Sequence, residues 1–219
     1  MEPILFFNEL LGSYGLILKG ILMTVKISVQ AIIYGTAAGL IIGIILEYGY
    51  PPLRYLFRFY VDFIRGIPVL VQILAAYYIL SVIGIQLSTL GAGILALSIF
   101  CSSHVAEITR GALQAIPKGQ IEAAKSISLT FRKTVIYVLL PQALRQMLPT
   151  WVNTATEIVK ASTLLSIIGV TELLMTIQQL ISRTFLSLEF YFLVGFIYFL
   201  INFTIERIGK GIEAKVTIA

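Results

Sequence analysis

The sequence predicts an all-α integral membrane protein of about five transmembrane helices, with a further helix outside the bilayer between the third and the fourth. Of its 219 residues, 58% are hydrophobic and 12% charged, about half the charged share of an ordinary soluble domain, and the mean hydropathy is +0.94. Residues 27–46 are an uncharged run of 20, long enough for a helix to cross a hydrocarbon core of about 30 Å. The stretch IPKGQIEAAKSISLTFRKT, by contrast, is too charged for lipid and too rich in helix formers for a loose loop. Only helices and closed barrels satisfy every backbone group in lipid, so the apolar stretches are read as a helix bundle.

The first span is expected at about 20–47. The segment MEPILFFNELLG ahead of it has neither the basic region nor the small-residue cleavage site of a signal peptide, so the first hydrophobic segment is expected to be permanent. The second span, about 54–82, is interrupted by Gly66 and Pro68; proline lacks the N–H a helix interior needs, which predicts a break or kink. Broken helices at membrane depth line cavities where freed amides and carbonyls find partners, and a hinge or packing role is the competing reading.

The third span, about 90–113, contains the single cysteine, Cys101, expected to act as a small core hydrophobe. The fourth, about 134–157, should bend at Pro141 and Pro149 and is the least hydropathic because Arg145 lies inside it. A connection over 160–185 with apolar stretches is expected to be helical near the outer face, and the fifth span covers about 186–208. In the polar segment, about 117–133, Pro117 and Gly119 mark the entry, residues 120–127 make two turns, and Thr130 is placed to cap a second short helix. No linker, repeat or low-complexity tract divides the chain, so 1–219 is read as one membrane unit.

Basic residues orient the spans. Arg54, Arg58, Lys118, Lys125, Arg132, Lys133, Arg207, Lys210 and Lys215 fall on one side, against Lys19, Lys160 and Arg183 on the other. The N-terminus is therefore expected outside and the C-terminus in the cytoplasm. The net charge of +5 follows from these cytoplasmic segments and does not imply nucleic acid.

An ionisable group at the bilayer centre costs about 2.5–3.5 kcal/mol unless paired or hydrated, so polar residues inside spans are the candidate site. Asp62 lies three before Arg65, Ser103 and His104 lie one turn before Glu107, and Asn153 lies one turn before Glu157. Each is a candidate for solute contact, with structural pairing the alternative for every one of them. There is no nucleophile–base set, no metal-ligand cluster and no G-x-x-x-x-G-K-[ST] phosphate loop, so the chain alone is not expected to be an enzyme.

The segment GQIEAAKSISLTFRKTVIYVLLPQA resembles the EAA motif of membrane subunits of ATP-binding-cassette importers, through Glu122, Ala123 and Ala124 followed by Leu140, Pro141, Gln142 and Ala143. Ser128 stands where the family has glycine, which puts the left-handed turn at that point in doubt. RGIPVLVQ resembles the R-G-T-P-x-L-V-Q signature of polar amino-acid permeases, with Ile67 for threonine, and AEITRGALQAIPKGQ and the run from Asn153 through Lys160 to Glu172 are similar to that subfamily. The close resemblance covers about 54–172.

The resemblance implies a permease of polar amino acids in a prokaryotic cytoplasmic membrane. Gln120, Glu122, Ala123, Ala124 and Ser128 would then belong to the coupling helix that enters a groove of a separate ATPase. The family pattern also implies that ATP and Mg are held by that ATPase, that a second permease subunit makes a homodimer, and that an extracytoplasmic solute-binding protein delivers the amino acid. With Asp62 and Glu157 set to face cationic groups, and Asn153, His104 and Ser103 to donate or accept hydrogen bonds, basic amino acids are the favoured cargo. A secondary transporter or channel would also explain charges within spans, but leaves the helix over 120–133 without a purpose.

Overall fold

The computed structural model describes residues 2–217, with side chains for residues 5–215, so the ends of the expected 1–219 unit lie outside the described residues. Helix α1 (Glu2–Tyr48) is followed by α2 (Pro51–Gly66), α3 (Val69–Val82) and α4 (Thr89–Gln114). Two short helices, α5 (Lys118–Ser126) and α6 (Phe131–Thr134), lead through a π-helical turn at Val135–Leu139 into α7 (Leu140–Ala161). A 3₁₀ segment, Ser162–Ile168, then precedes α8 (Leu173–Thr184) and α9 (Ser187–Thr217).

Three of these helices, α1, α4 and α9, are each long and apolar enough to cross a membrane alone. Two bent pairs, α2 with α3 and Phe131–Ile168 with α8, bring the number to as many as five. The expected count is reached, but with different contours. Helix α1 has 47 residues, about 70 Å at 1.5 Å per residue, so it starts well before residue 20.

The second span is two helices at 108° rather than one kinked helix. Pro68 forces the residue before it out of the helical region, and Ile67 is extended at φ −107° and ψ 133°. The carbonyls this frees are met within the chain: Gln72 Nε2 donates to Ile64 O at 2.7 Å and Ile67 O at 2.8 Å. The fourth span likewise runs on past residue 157, tightening to 3₁₀ and turning at left-handed Gly169 (φ 85°) into α8. The expected helical connection over 160–185 is therefore present, bent 51° from the element it continues.

Helix α4 is the centre of the molecule. It packs on α1 through Gly35, Gly39 and Gly43, where an added Cβ would come under 3.0 Å from Cys101, Val105 and Thr109 respectively. Small residues four apart let two backbones approach in lipid, where close packing replaces the hydrophobic effect as the force between helices. Cys101, 1% exposed, fills one of these contacts as a small core residue. Around it Leu97, Ile73, Leu139, Ile158 and Leu165 form the main core, while Ile17, Leu173, Ile177, Leu180 and Phe190 form a second one joining α1, α8 and α9.

Glu172 ties that second core together. It is fully buried at the N-cap of α8 and accepts from Leu174 N (2.9 Å), Met175 N (2.8 Å) and the Tyr198 hydroxyl (2.7 Å). Thr24 of α1 reaches the same carboxylate at 3.4 Å. A buried carboxylate is tolerated when its acceptor sites are filled in this way. The outward side of α9 carries Phe192, Phe196, Phe199 and Phe203, all exposed and suited to lipid.

Candidate functional site

Helix α7 has a polar side that its neighbours leave open. Met147 meets Thr109 of α4, Trp151 donates to Thr36 of α1 at 2.9 Å, and Val152 packs on Gly209 of α9. Between the α4 and α9 contacts runs an exposed row, Gln146, Thr150, Asn153, Glu157 and Lys160, at spacings of three and four that keep one helical face. Asn153 shares a groove with Glu206, Lys210 and Glu213 of α9. Among the described residues, Glu157 makes no ion pair.

The other candidates lie on α4 and α2. His104 is half-buried on α4, its Nδ1 at 3.0 Å from Phe100 O and its ring 4.4 Å from that of Phe100. Glu107, one turn on, is fully engaged: Arg58 donates to Oε2 at 3.0 Å, Arg110 Nε donates to the same oxygen at 3.2 Å, and Arg110 Nη2 closes on Oε1. Arg110 also donates to Gln114, which donates to Glu47 of α1, so this carboxylate anchors a network across three helices. Asp62 is 61% exposed and lies 3.7 Å from Arg58, not paired with Arg65 as the spacing suggested. Ser103 is 0% exposed and its hydroxyl donates to Phe100 O at 2.8 Å.

The structure thus leaves Asn153, Glu157 and Asp62 exposed and His104 half-buried. It turns Ser103 into the core and commits Glu107 to two arginines. A helix carries side chains around its whole circumference, and one-turn spacing alone does not say which side is open. Gln72, which closes the helix break, was missed as a functional position although its motif was noted; a glutamine four residues after a proline is the signal that would have found it.

The polar segment forms helix α5 as expected, and its C-terminus is a Schellman turn. Ser128 N donates to Lys125 O (2.9 Å) and Leu129 N to Ala124 O (3.0 Å), with Ser128 itself left-handed at φ 60°. The left-handed turn is therefore present despite the missing glycine. Thr130 occupies the N-cap position of α6 without a side-chain cap bond; its carbonyl accepts from Thr134 instead.

The two alanines divide. Ala124 is 3% exposed, against its own chain, with Ile121 half-buried beside it, whereas Gln120, Glu122, Ala123 and Lys125 point outward. The expectation that both alanines meet an outside groove is corrected accordingly. Ile127, four after Ala123, is 70% exposed and adds an apolar side chain beside this outward side that the sequence reading left out. Gln120 also reaches Gln142 at the base of α7 (3.4 Å), which links the outer helix to the span.

Residues 15–218 match the family described as "Binding-protein-dependent transport system inner membrane component". The chain belongs to this family. As a permease it is similar to the "Probable amino-acid ABC transporter permease protein YckA" of Bacillus subtilis (strain 168), with 34% identity over 89% of this chain and 87% of that protein. It is also similar to the "Glutamine transport system permease protein GlnP" of Escherichia coli (strain K12), with 32% identity over 93% and 94% of the two chains.

Among solved structures, the permease aligns with a chain of an amino acid ABC transporter crystallised with histidines, at TM-score 0.87 and 32% identity over 95% and 98% of the two chains. A methionine transporter chain shares the fold at TM-score 0.78. The resemblance read from the EAA and R-G-x-P-x-L-V-Q segments is borne out. The permease is a multi-pass membrane transport component, not an enzyme in its own right, and its family works with an ATPase and a binding protein. Among the described residues, no group of three or more His, Cys, Asp or Glu could hold a metal ion.

Proposed function

We propose that the permease translocates polar amino acids, basic ones preferentially, by alternating access driven by a separate ATPase that holds ATP and Mg. The observation that carries this is Glu157. It is exposed one turn before the C-terminal end of α7, within the fourth span, makes no ion pair among the described residues, and sits in a polar row with Asn153. A charge in that setting needs water or a cationic ligand, and a cationic amino acid supplies one. The relatives include the "Arginine transport system permease protein ArtQ" of Bacillus subtilis (strain 168), 30% identical over 95% of this chain, alongside glutamine and cystine permeases.

The exposed polar row on α7 and the groove it shares with α9 are unsuited to lipid, so they would face a second copy across a hydrated pathway, which makes a homodimer the simplest assembly. The excess of basic residues on α5, α6 and the C-terminal part of α9 supports a cytoplasmic coupling helix and C-terminus, with the N-terminus outside. ATP binding would draw the two α5 helices together and open the face outward; hydrolysis would restore the inward-facing state. An extracytoplasmic binding protein would present the amino acid.

The test is ATP-dependent uptake of labelled arginine into vesicles holding the permease, its ATPase and its binding protein, with lysine, histidine, glutamine and glutamate as competitors. Competition by the basic set, lost in Glu157→Gln, is the expected result. Preference for glutamine or glutamate would sink the cation-reading assignment, and uptake driven by an ion gradient without ATP would point to a secondary transporter instead.

A further inference from the structure

We propose that the arginine-lined recess between the end of α1 and the start of α2 is a binding site for an anionic phospholipid, with Arg54 and Arg58 holding the headgroup phosphate and the apolar side of α2 taking an acyl chain. This goes beyond the transport reading and does not depend on which solute is carried.

The recess measures about 290 Å³ and is lined by Leu46, Pro51, Arg54, Tyr55 and Arg58. It lies at the end of the bundle that carries α5 and α6, since the ring of Tyr48 meets that of Phe131 edge to face with centroids 5.3 Å apart. Arg54 and Arg58, four residues apart, share one face of α2. Arg54 is fixed through its Nε, which donates to Leu46 O at 3.1 Å. Its Nη1 and Nη2 have no hydrogen bond and no ion pair among the described residues. Arg58 divides its charge between Glu107 at 3.0 Å and Asp62 at 3.7 Å. Arg54 is therefore the arginine with two guanidinium nitrogens to spare, and a phosphate accepts such a fork through two of its oxygens. The helix start is not itself the donor. Pro51 and Pro52 have no N–H, and the amides of Leu53 and Arg54 both donate to Tyr50 O at 3.1 Å.

A small anion would need no more than this; what lies beside the arginines favours a lipid. Tyr55, Phe59 and Phe63 follow one another at intervals of four on the adjoining face of α2 and are 76%, 68% and 54% exposed. The Phe59 and Phe63 rings stack with centroids 5.8 Å apart. At 1.5 Å per residue, Phe59 lies about 7.5 Å and Phe63 about 13.5 Å along the helix from Arg54. Charge at the end of the span, a tyrosine beside it and bare aromatic surface further in follow the order of headgroup, interface and acyl chain in a bilayer. Basic recesses between membrane helices suit anionic headgroups.

The test is native mass spectrometry of the permease–ATPase complex released from detergent, titrated with dioleoyl phosphatidylglycerol or with the zwitterionic dioleoyl phosphatidylcholine. Phosphatidylglycerol is expected to bind once per permease chain and about fivefold more tightly, the size of one basic residue's attraction to an anionic surface. Arg54→Gln is expected to bring the two lipids within twofold of each other, while Arg132→Gln, which removes the same charge from an exposed position on α6, keeps the preference. Phe59→Ala is expected to weaken both lipids at least threefold with the preference intact.

Equal binding of the two lipids, or a preference untouched by Arg54→Gln, would overturn the site. So would displacement of phosphatidylglycerol by inorganic phosphate in modest excess, which would make the recess a free-anion site. Separation of the complex into single permease chains in Arg54→Gln and Phe59→Ala would overturn it too, by making this side of α2 a contact between copies. Should Arg54→Gln fail to assemble, Phe59→Ala decides alone, because unchanged lipid affinity there would leave the acyl chain without its surface and overturn the proposal.

Discussion

Ser128 and Glu107 show how much single side chains decide here. Ser128 holds φ 60° at the end of α5, a conformation in which a Cβ costs about 1 kcal/mol or more. Ser128→Gly is therefore expected to raise the thermal midpoint of the permease, offset in part by the greater freedom of glycine in the unfolded chain; a lower midpoint would mean that the serine side chain contributes something its backbone geometry conceals. Glu107 is held by Arg58 and Arg110, and removing its charge leaves Arg110 without its carboxylate partner and Arg58 with only Asp62 at 3.7 Å. Glu107→Gln should lower stability by about 1–3 kcal/mol, read as a lower thermal midpoint, without altering which amino acids compete for uptake. A changed competition profile would return Glu107 to the list of ligand contacts.

At the scale of elements, the two packing solutions are the α1–α4 contact and the α2–α3 elbow. The first works because three glycines at intervals of four let α1 lie against the Cβ atoms of α4. The second works because one glutamine takes up the carbonyls that Pro68 frees. Gln72→Leu is isosteric enough to keep the packing but withdraws both hydrogen bonds, leaving Ile67 O without its donor and Ile64 O with only Ile67 N at 3.4 Å, and an unmet carbonyl away from water costs about 1–3 kcal/mol. The expected result is a marked loss of thermal stability and faster proteolysis between α2 and α3. An unchanged digestion pattern would mean that water replaces the amide.

For the whole molecule, the proposed function would use two faces that the chain does not cover itself. One is the polar row of α7 with its groove against α9; the other is the outward side of α5 with Glu122, Ala123 and Ile127. An apolar side chain that is 70% exposed beside a small residue suits a partner's groove better than water. Ile127→Asp is expected to reduce co-purification of the ATPase at least tenfold while the permease alone keeps its melting temperature. Retained ATPase with lost uptake would instead assign Ile127 to transmission of motion rather than to docking.

The bundle, the site of the helix break, the outer helix over 118–126 and the shared face of Asn153 and Glu157 were legible in the sequence. Each follows from composition, proline position or a 3.6-residue period, which act within a few residues along the chain. Tertiary structure alone decided that Ser103 faces the core, that Ala124 turns inward, that Arg58 rather than a solute meets Glu107, and that Glu172 joins three helices. Arg58 and Glu107 are 49 residues apart and Thr24 and Glu172 are 148 apart. Local periodicity tells which residues share a face, but which face stays open is set by where distant helices pack, and that is fixed only once the chain has folded.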